Sequence, residues 1–315
     1  MATVTAAAPG RRRRTPLARR EARWAYLFLA PWIVGFLIFY AGPMVASLWL
    51  SFTEYDVINP PRYTGLDNYR ALMSDPAVAR SLGNTVYYTA LHVPLVMLIS
   101  LGLALLLKRV GRLQGFFRTV FYLPVMTPAV AVGILFLLLL NTQDGLINRV
   151  LGLVGIDGPS WTTDPHWVMP GIILMSLWSL GSTVIIYLAA LQNVPRDLYE
   201  AAAIDGAGPW ARFRSVTLPM ISGALFFTLI VNTIASLQMF TEVYTMYFGN
   251  RETQNSFNSD AASFYVIHLF QEAFQFLHMG FASAMAWLLF VIILIITLIQ
   301  VKLSNRFVYY EGEDK

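Results

Sequence analysis

Nucleotide, metal and acyl-transfer chemistry each need particular residues at particular spacings, and this 315-residue chain has few candidates for any of them. A phosphate-binding Walker A loop needs Gly-Lys followed by Ser or Thr. The three lysines lie elsewhere: Lys108 follows Leu107, Lys302 sits between Val301 and Leu303, and Lys315 follows Asp314. No H-E-x-x-H surrounds His92, His166, His268 or His278, no serine sits in G-x-S-x-G, and no two aspartates lie at membrane depth. His268 and Glu272 are four apart and can share a helix face, but two ligands fall short of a metal site. Packing or local hydrogen bonding is the better reading of that pair. The chain therefore reads as a non-enzyme that binds no metal and no cofactor of its own.

The informative chemistry lies at 193–219, Asn-Val-Pro-Arg-Asp-Leu-Tyr-Glu-Ala-Ala-Ala-Ile-Asp-Gly-Ala-Gly-Pro-Trp-Ala-Arg-Phe-Arg-Ser-Val-Thr-Leu-Pro. Pro195 suits a first helical turn, Asp197 and Glu200 favour its positive end, and Ala201, Ala202 and Ala203 have high helix propensity. Gly206, Gly208 and Pro209 break that helix, and a second short one runs from Pro209 toward Pro219. The spacing predicts a compact helix-turn-helix. Small side chains let such a helix sit deep in a partner's cleft, with Glu200 and Asp205 free to pair with basic groups there.

What must position this loop is a membrane-embedded bundle. Apolar residues make up 57% of the chain and charged residues 13%, too few to cover a water-facing surface. A span takes roughly 20 apolar residues, and six stretches qualify: 24–52, 84–107, 119–140, 168–191, 218–241 and 282–301. None contains Asp, Glu, Lys or Arg. His92 is the one ionisable side chain within them, with Glu242 at an end, so ion coupling through buried charge has little to work with. The first stretch is longer than a cleavable leader's core and reads as a retained helix bent near Pro43.

Lys and Arg are concentrated in alternate connections: residues 1–23, 108–118, 192–217 and the C-terminal tail hold most of them, and 53–83, 141–167 and 242–281 hold few. The positive-inside rule then puts both termini and the 192–217 loop in the cytoplasm. The basic run at 11–14 with Arg19, Arg20 and Arg23 reads as a topology anchor, and nucleic acid is not an expected partner. The domain plan is a basic tail over 1–23, a six-helix domain over 24–303 containing the loop 192–217, and a tail over 304–315. Cysteine is absent, so thiol chemistry does not enter.

The 193–219 stretch resembles the E-A-A-x3-G-x9-I-x-L-P signature of binding-protein-dependent ABC importer permeases. Glu200, Ala201, Ala202, Gly206, Leu218 and Pro219 match, and Val216 stands in place of Ile. Ala30-Pro-Trp-Ile-Val-Gly-Phe, Gly65-Leu-Asp-Asn-Tyr69 and Tyr199-Glu-Ala-Ala-Ala-Ile-Asp-Gly206 look like the carbohydrate-type permeases, the first of two unlike permeases in systems similar to those for maltose and glycerol 3-phosphate. The Asn-Arg-Glu-Thr-Gln-Asn-Ser stretch at 250–256 departs from the Gly-Gly-Pro turn common in that group.

The resemblance implies the all-α type I ABC importer permease fold with a cytoplasmic coupling helix. It makes residues 198–208 that helix, with Tyr199, Glu200, Ala201, Ala202, Asp205, Gly206 and Gly208 coupling to an ATPase. It also implies a multi-pass protein of the bacterial or archaeal cytoplasmic membrane, surrounded by lipid. Its partners are a second homologous permease, two ATPase subunits that bind ATP and Mg, and an extracytoplasmic sugar-binding protein. The cargo is a sugar; a glycerol phosphodiester or small peptide is the alternative importer cargo, and an ion-coupled carrier the alternative class.

A sugar needs hydrogen-bonding groups for its hydroxyls and aromatic rings for its C–H faces. Trp178, Ser179, Ser182, Thr183 and Tyr187 on the fourth stretch, with Asn232, Ser236, Gln238 and Tyr244 in or beside the fifth, offer both. Asn232 and Ser236, four apart, share a helical face. By distance from the Glu-Ala-Ala motif, the resemblance places these two near the sugar-lining positions of the maltose-type permeases. Binding of neighbouring helices is the alternative role for such polar residues.

Overall fold

A computed structural model of the chain describes residues 16–249 and 260–307. The basic run at 11–14, the 250–256 stretch and most of the C-terminal tail lie outside the described residues. Four helices are long and apolar enough to cross a bilayer, and two bent pairs complete six spans when each pair counts as one. The only strands among the described residues form a two-residue hairpin, Thr53–Glu54 with Arg62–Tyr63.

The first span, Arg23–Leu50, has no buried residue. Its helix widens into a π turn over Leu37–Ala41 just before Pro43. Pro43 has no N–H to give the carbonyl four residues back, so the hydrogen-bond ladder slips there. The second span lies in the helix Pro76–Arg109, opened by the Asp75 side chain, which accepts the Ala77 N–H at 2.7 Å, and closed by Lys108 and Arg109 in the last turn. At 34 residues it is roughly 50 Å long. It outreaches a hydrocarbon core of about 30 Å.

The third and fourth spans are not the straight rods their apolar runs imply. The third is Gly111–Met126 followed by Ala129–Leu139 at 96°, and the fourth is Pro165–Ser179 followed by Gly181–Gln192 at 51°. In the third, Thr127 before Pro128 is extended, as a pre-proline residue must be, and the run divides there. The fifth span, Ser222–Phe248, is interrupted after Leu237 and resumes at Thr241. The sixth, Met279–Ser304, belongs to a helix continuing to Phe307.

The connection before the sixth span is more than a loop. The helix Tyr265–Phe270 is packed inside the bundle: the Tyr265 N–H donates to Thr85 Oγ1 at 2.9 Å, its hydroxyl donates to the Met285 carbonyl at 2.9 Å, and Phe264 meets Tyr88 edge-on at 5.2 Å. At this same end the hairpin tip puts Val57 at φ 71. Asp56 holds the tip by accepting N–H donors from Ile58 and Asn59 and the Asn59 amide. These bonds, the Asn59 backbone N–H foremost, keep its carboxyl below the usual 3.8. The hairpin is therefore expected to hold its shape above pH 3.8 and to loosen as pH falls through the lowered value, measurable as acid-induced protease sensitivity near residue 57.

Candidate functional site

The 192–217 loop folds as two short helices. Arg196–Ile204 is the first, entered from Pro195 with Asp197 in its first turn. Its exit is a Schellman motif: Gly206 takes φ +78, its N–H donates to the Ala203 carbonyl at 3.1 Å, and the Ala207 N–H donates to Ala202 at 2.9 Å. Pro209–Arg212 is the second, continued by a wide turn over Phe213–Thr217.

Of the seven loop residues singled out in the sequence, Glu200, Ala201, Asp205, Gly206 and Gly208 face outward, and Glu200 and Asp205 form no ion pair among the described residues. Ile204 is 87% exposed and Trp210 72%. An apolar side chain so bare at a loop tip fits a surface that is completed by contact. Tyr199 and Ala202 turn the other way and are half-buried. The Tyr199 hydroxyl shares a hydrogen bond with Thr217 Oγ1 at 2.9 Å, and the Lys108 ammonium lies 5.2 Å from the centre of its ring.

The polar residues of the spans divide between several environments. Ser179 and Ser236 line one cavity of about 180 Å³, together with Tyr88, His92, Ser176 and Glu242. His92 Nδ1 and Ser236 Oγ are 2.9 Å apart, the Tyr88 ring stacks on the imidazole at 4.8 Å, and His92 Nε2 is buried without a partner. A polar atom left unpaired at that depth costs free energy until something binds it.

Trp178 is partly exposed beside this cavity, edge-on to Phe136, and Ser182 is exposed on the next turn. Asn232 is half-buried, its amide donating to the Thr228 carbonyl at 2.8 Å. Four of the chosen residues lie elsewhere. Thr183 is buried; Tyr187 is fully buried, with its hydroxyl and Thr228 Oγ1 2.6 Å apart. Gln238 lines a separate cavity of about 320 Å³ with Val266 and Phe290. Tyr244 is held in an aromatic group with Phe240 and Phe270 and accepts a hydrogen bond from Gln275 at 3.3 Å.

Sequence reasoning gave no role to Tyr88, His92, Ser176 or Glu242. The available signal was that His92 is the sole ionisable group inside an apolar stretch. Elsewhere Glu272 pairs with His278 at 2.8 Å rather than with His268, and no group of three metal-ligating side chains exists among the described residues.

The sequence pattern of the family described as "Binding-protein-dependent transport system inner membrane component" matches residues 97–309. The chain is 38% identical over 300 residues to the probable ABC transporter permease protein YesP of Bacillus subtilis (strain 168), covering 94% of this chain and 95% of that one. It is 35% identical over 281 residues to the lactose transport system permease protein LacF of Rhizobium radiobacter, covering 87% and 92%. A chain of a bacterial alginate ABC transporter, solved in complex with an alginate pentasaccharide-bound periplasmic protein, superposes with a TM-score of 0.80 at 25% identity, covering 93% of this chain and 98% of that one.

Proposed function

Because this chain belongs to the family of binding-protein-dependent transport system inner membrane components, we propose that it is one of two permeases of an ATP-driven sugar importer. The carrying observation is the exposed Arg196–Ile204 helix, with Glu200, Asp205 and Ile204 unpartnered among the described residues, at one end of a six-span bundle that holds a small cavity with polar groups in a largely apolar wall. A relative named for lactose transport and a structural neighbour from an alginate transporter support a sugar as cargo. The cavity's polar groups agree with this: hydroxyls, an imidazole, an aromatic face and a carboxylate stand among apolar side chains such as Val132 and Met239, with no Lys or Arg to hold a phosphodiester.

In this reading the termini and the loop are cytoplasmic, and two separate ATPase subunits carry ATP and Mg. The second permease closes the path opposite Ser179, Ser182, Trp178, Asn232 and Ser236, and a sugar-binding protein delivers the cargo from outside. The bare first span lies against lipid or the second permease. ATP binding closes the ATPase dimer, draws the coupling helices together and turns the cavity outward, and hydrolysis resets it. Glu200, Ala201, Ala202, Asp205, Gly206 and Gly208 form the docking helix, while Tyr199 holds it from behind.

Ser236→Ala should raise the sugar concentration for half-maximal uptake roughly 3- to 10-fold, the worth of one uncharged hydrogen bond, with the ATPase still attached. Uptake curves that superimpose on wild type would remove Ser236 from the path. The reading as a whole is tested by ATPase activity in lipid nanodiscs of the chain assembled with a second permease, ATPase subunits and binding protein, across a panel of sugars. Stimulation by one class of sugar supports it. Failure of any ATPase to co-purify with an inserted chain sinks it, and uptake driven by an ion gradient alone favours a carrier.

A further inference from the structure

A set of contacts at the root of the loop joins segments far apart in sequence. Lys108 Nζ donates to the Leu191 carbonyl at 2.9 Å. Leu191 lies in the last turn of the helix Gly181–Gln192, where carbonyls have no intrahelical partner and the dipole favours a cation. The same ammonium lies against the Tyr199 ring, an arrangement that attracts it to the π face. Tyr199 in turn bonds through its hydroxyl to buried Thr217, at the entry to the fifth span. One cation and one ring therefore link the ends of the second and fourth spans, the Arg196–Ile204 helix and the start of the fifth.

We propose that Lys108 is a positioning residue that fastens the Arg196–Ile204 helix to these span ends, so that a displacement of that helix reaches both walls of the His92–Ser236 cavity. The proposal rests on the reading of the loop as the docking helix. His92 is 16 residues before Lys108 on one continuous helix, roughly 24 Å away, and Ser236 lies on the helix Ser222–Leu237, which follows the short helix Leu218–Met220 that Thr217 leads into. A packed helix moves as a body, so a shift imposed at its end carries to the cavity. A methionine in its place donates to no carbonyl and carries no charge to the ring face.

A second strap makes the proposal testable without loss of the fold. Arg118 donates to Gln192 Oε1 at 3.0 Å, Gln192 Nε2 donates to Gln114 Oε1 at 3.0 Å, and Gln114 Nε2 donates to the Leu107 carbonyl at 3.1 Å. These bonds hold the second, third and fourth span ends together independently of Lys108, and they do not reach Tyr199. Loss of Lys108 then frees the loop helix while the bundle stays assembled.

The experiment uses the complete transporter in proteoliposomes, with ATP hydrolysis and sugar uptake measured on the same preparation. In Lys108→Met the ATPase subunits should still co-purify and hydrolyse ATP, while sugar moved per ATP falls about 5-fold or more, the range of a coupling free energy of 1 kcal/mol and above. Lys108→Arg should restore the ratio, since a guanidinium also donates to a carbonyl and packs on a ring. Thr217→Val, cutting the far end of the strap, should lower it in the same direction. A wild-type ratio in Lys108→Met overturns the proposal, as does a parallel fall of hydrolysis and uptake with the ratio unchanged, or failure of Lys108→Arg to rescue. Absence of ATPase from the wild-type complex is a different result: it overturns the docking-helix reading itself.

Discussion

Gly206→Pro is expected to abolish ATP-dependent uptake and to release the ATPase subunits while leaving the chain inserted in the membrane. Gly206 sits at φ +78, and proline is fixed near −65°, so the left-handed turn cannot form. The Gly206 N–H that closes the turn on Ala203 is lost as well. A cost of about 3 kcal/mol or more for holding the same turn corresponds to roughly a hundredfold fall in the fraction of loops that present both short helices together. The bundle should tolerate the change, because no other atom lies within 4 Å of the position where a Cβ would project. Gly206→Ala isolates the backbone term at about 1 kcal/mol and should reduce coupling far less. Glu200→Ala removes charge and leaves the turn intact. If Gly206→Pro kept its ATPase and its uptake, the loop would not be the coupling element.

Gly181→Ala should damage the bundle itself. Gly181 lies at the bend of the fourth span, and a Cβ there runs into the Phe121 carbonyl oxygen, with the Phe121 carbonyl carbon at 2.7 Å and Tyr122 Cα at 3.2 Å. These are backbone atoms of the third span, just before its break, so no side-chain rotation relieves the clash. The cost should reach the upper end of the overpacking range, about 3 kcal/mol. Gly102→Ala is the control: nothing lies within 4 Å, and helix propensity favours Ala there by about 1 kcal/mol. Thermal unfolding in detergent should therefore place Gly181→Ala well below wild type and Gly102→Ala at or slightly above it. Equal midpoints for the two variants would show that the third and fourth spans do not meet closely at Gly181.

Six spans, the two-helix loop and the break at Gly206 were legible in the sequence because each depends on local information. Apolar runs long enough for a bilayer, alanines between an acidic first turn and a glycine, and prolines at helix starts mark their own structure. The same runs gave no sign that the third and fourth spans fold at 96° and 51°, since an apolar run records burial in lipid and not direction. Nor did they show that Tyr265–Phe270 lies inside the bundle, because its partners Thr85 and Met285 are distant in the chain.

The candidate site divides in the same way. Outward-facing Glu200, Asp205 and Gly206 follow from helix period and capping alone. Which span residues share a cavity depends on how helices rotate against one another. Tertiary packing brings Ser179 and Ser236 together with Tyr88 and His92, sends Tyr187 to Thr228 in the core, and turns Gln238 toward the sixth span. It also turns Tyr199 inward onto Lys108, 91 residues earlier in the chain. Composition and local spacing thus determined that this chain spans a membrane and carries an outward-facing two-helix loop. The direction in which each polar side chain points was decided by long-range helix contacts, because a helix buried on several faces carries no strong sequence period to fix its rotation.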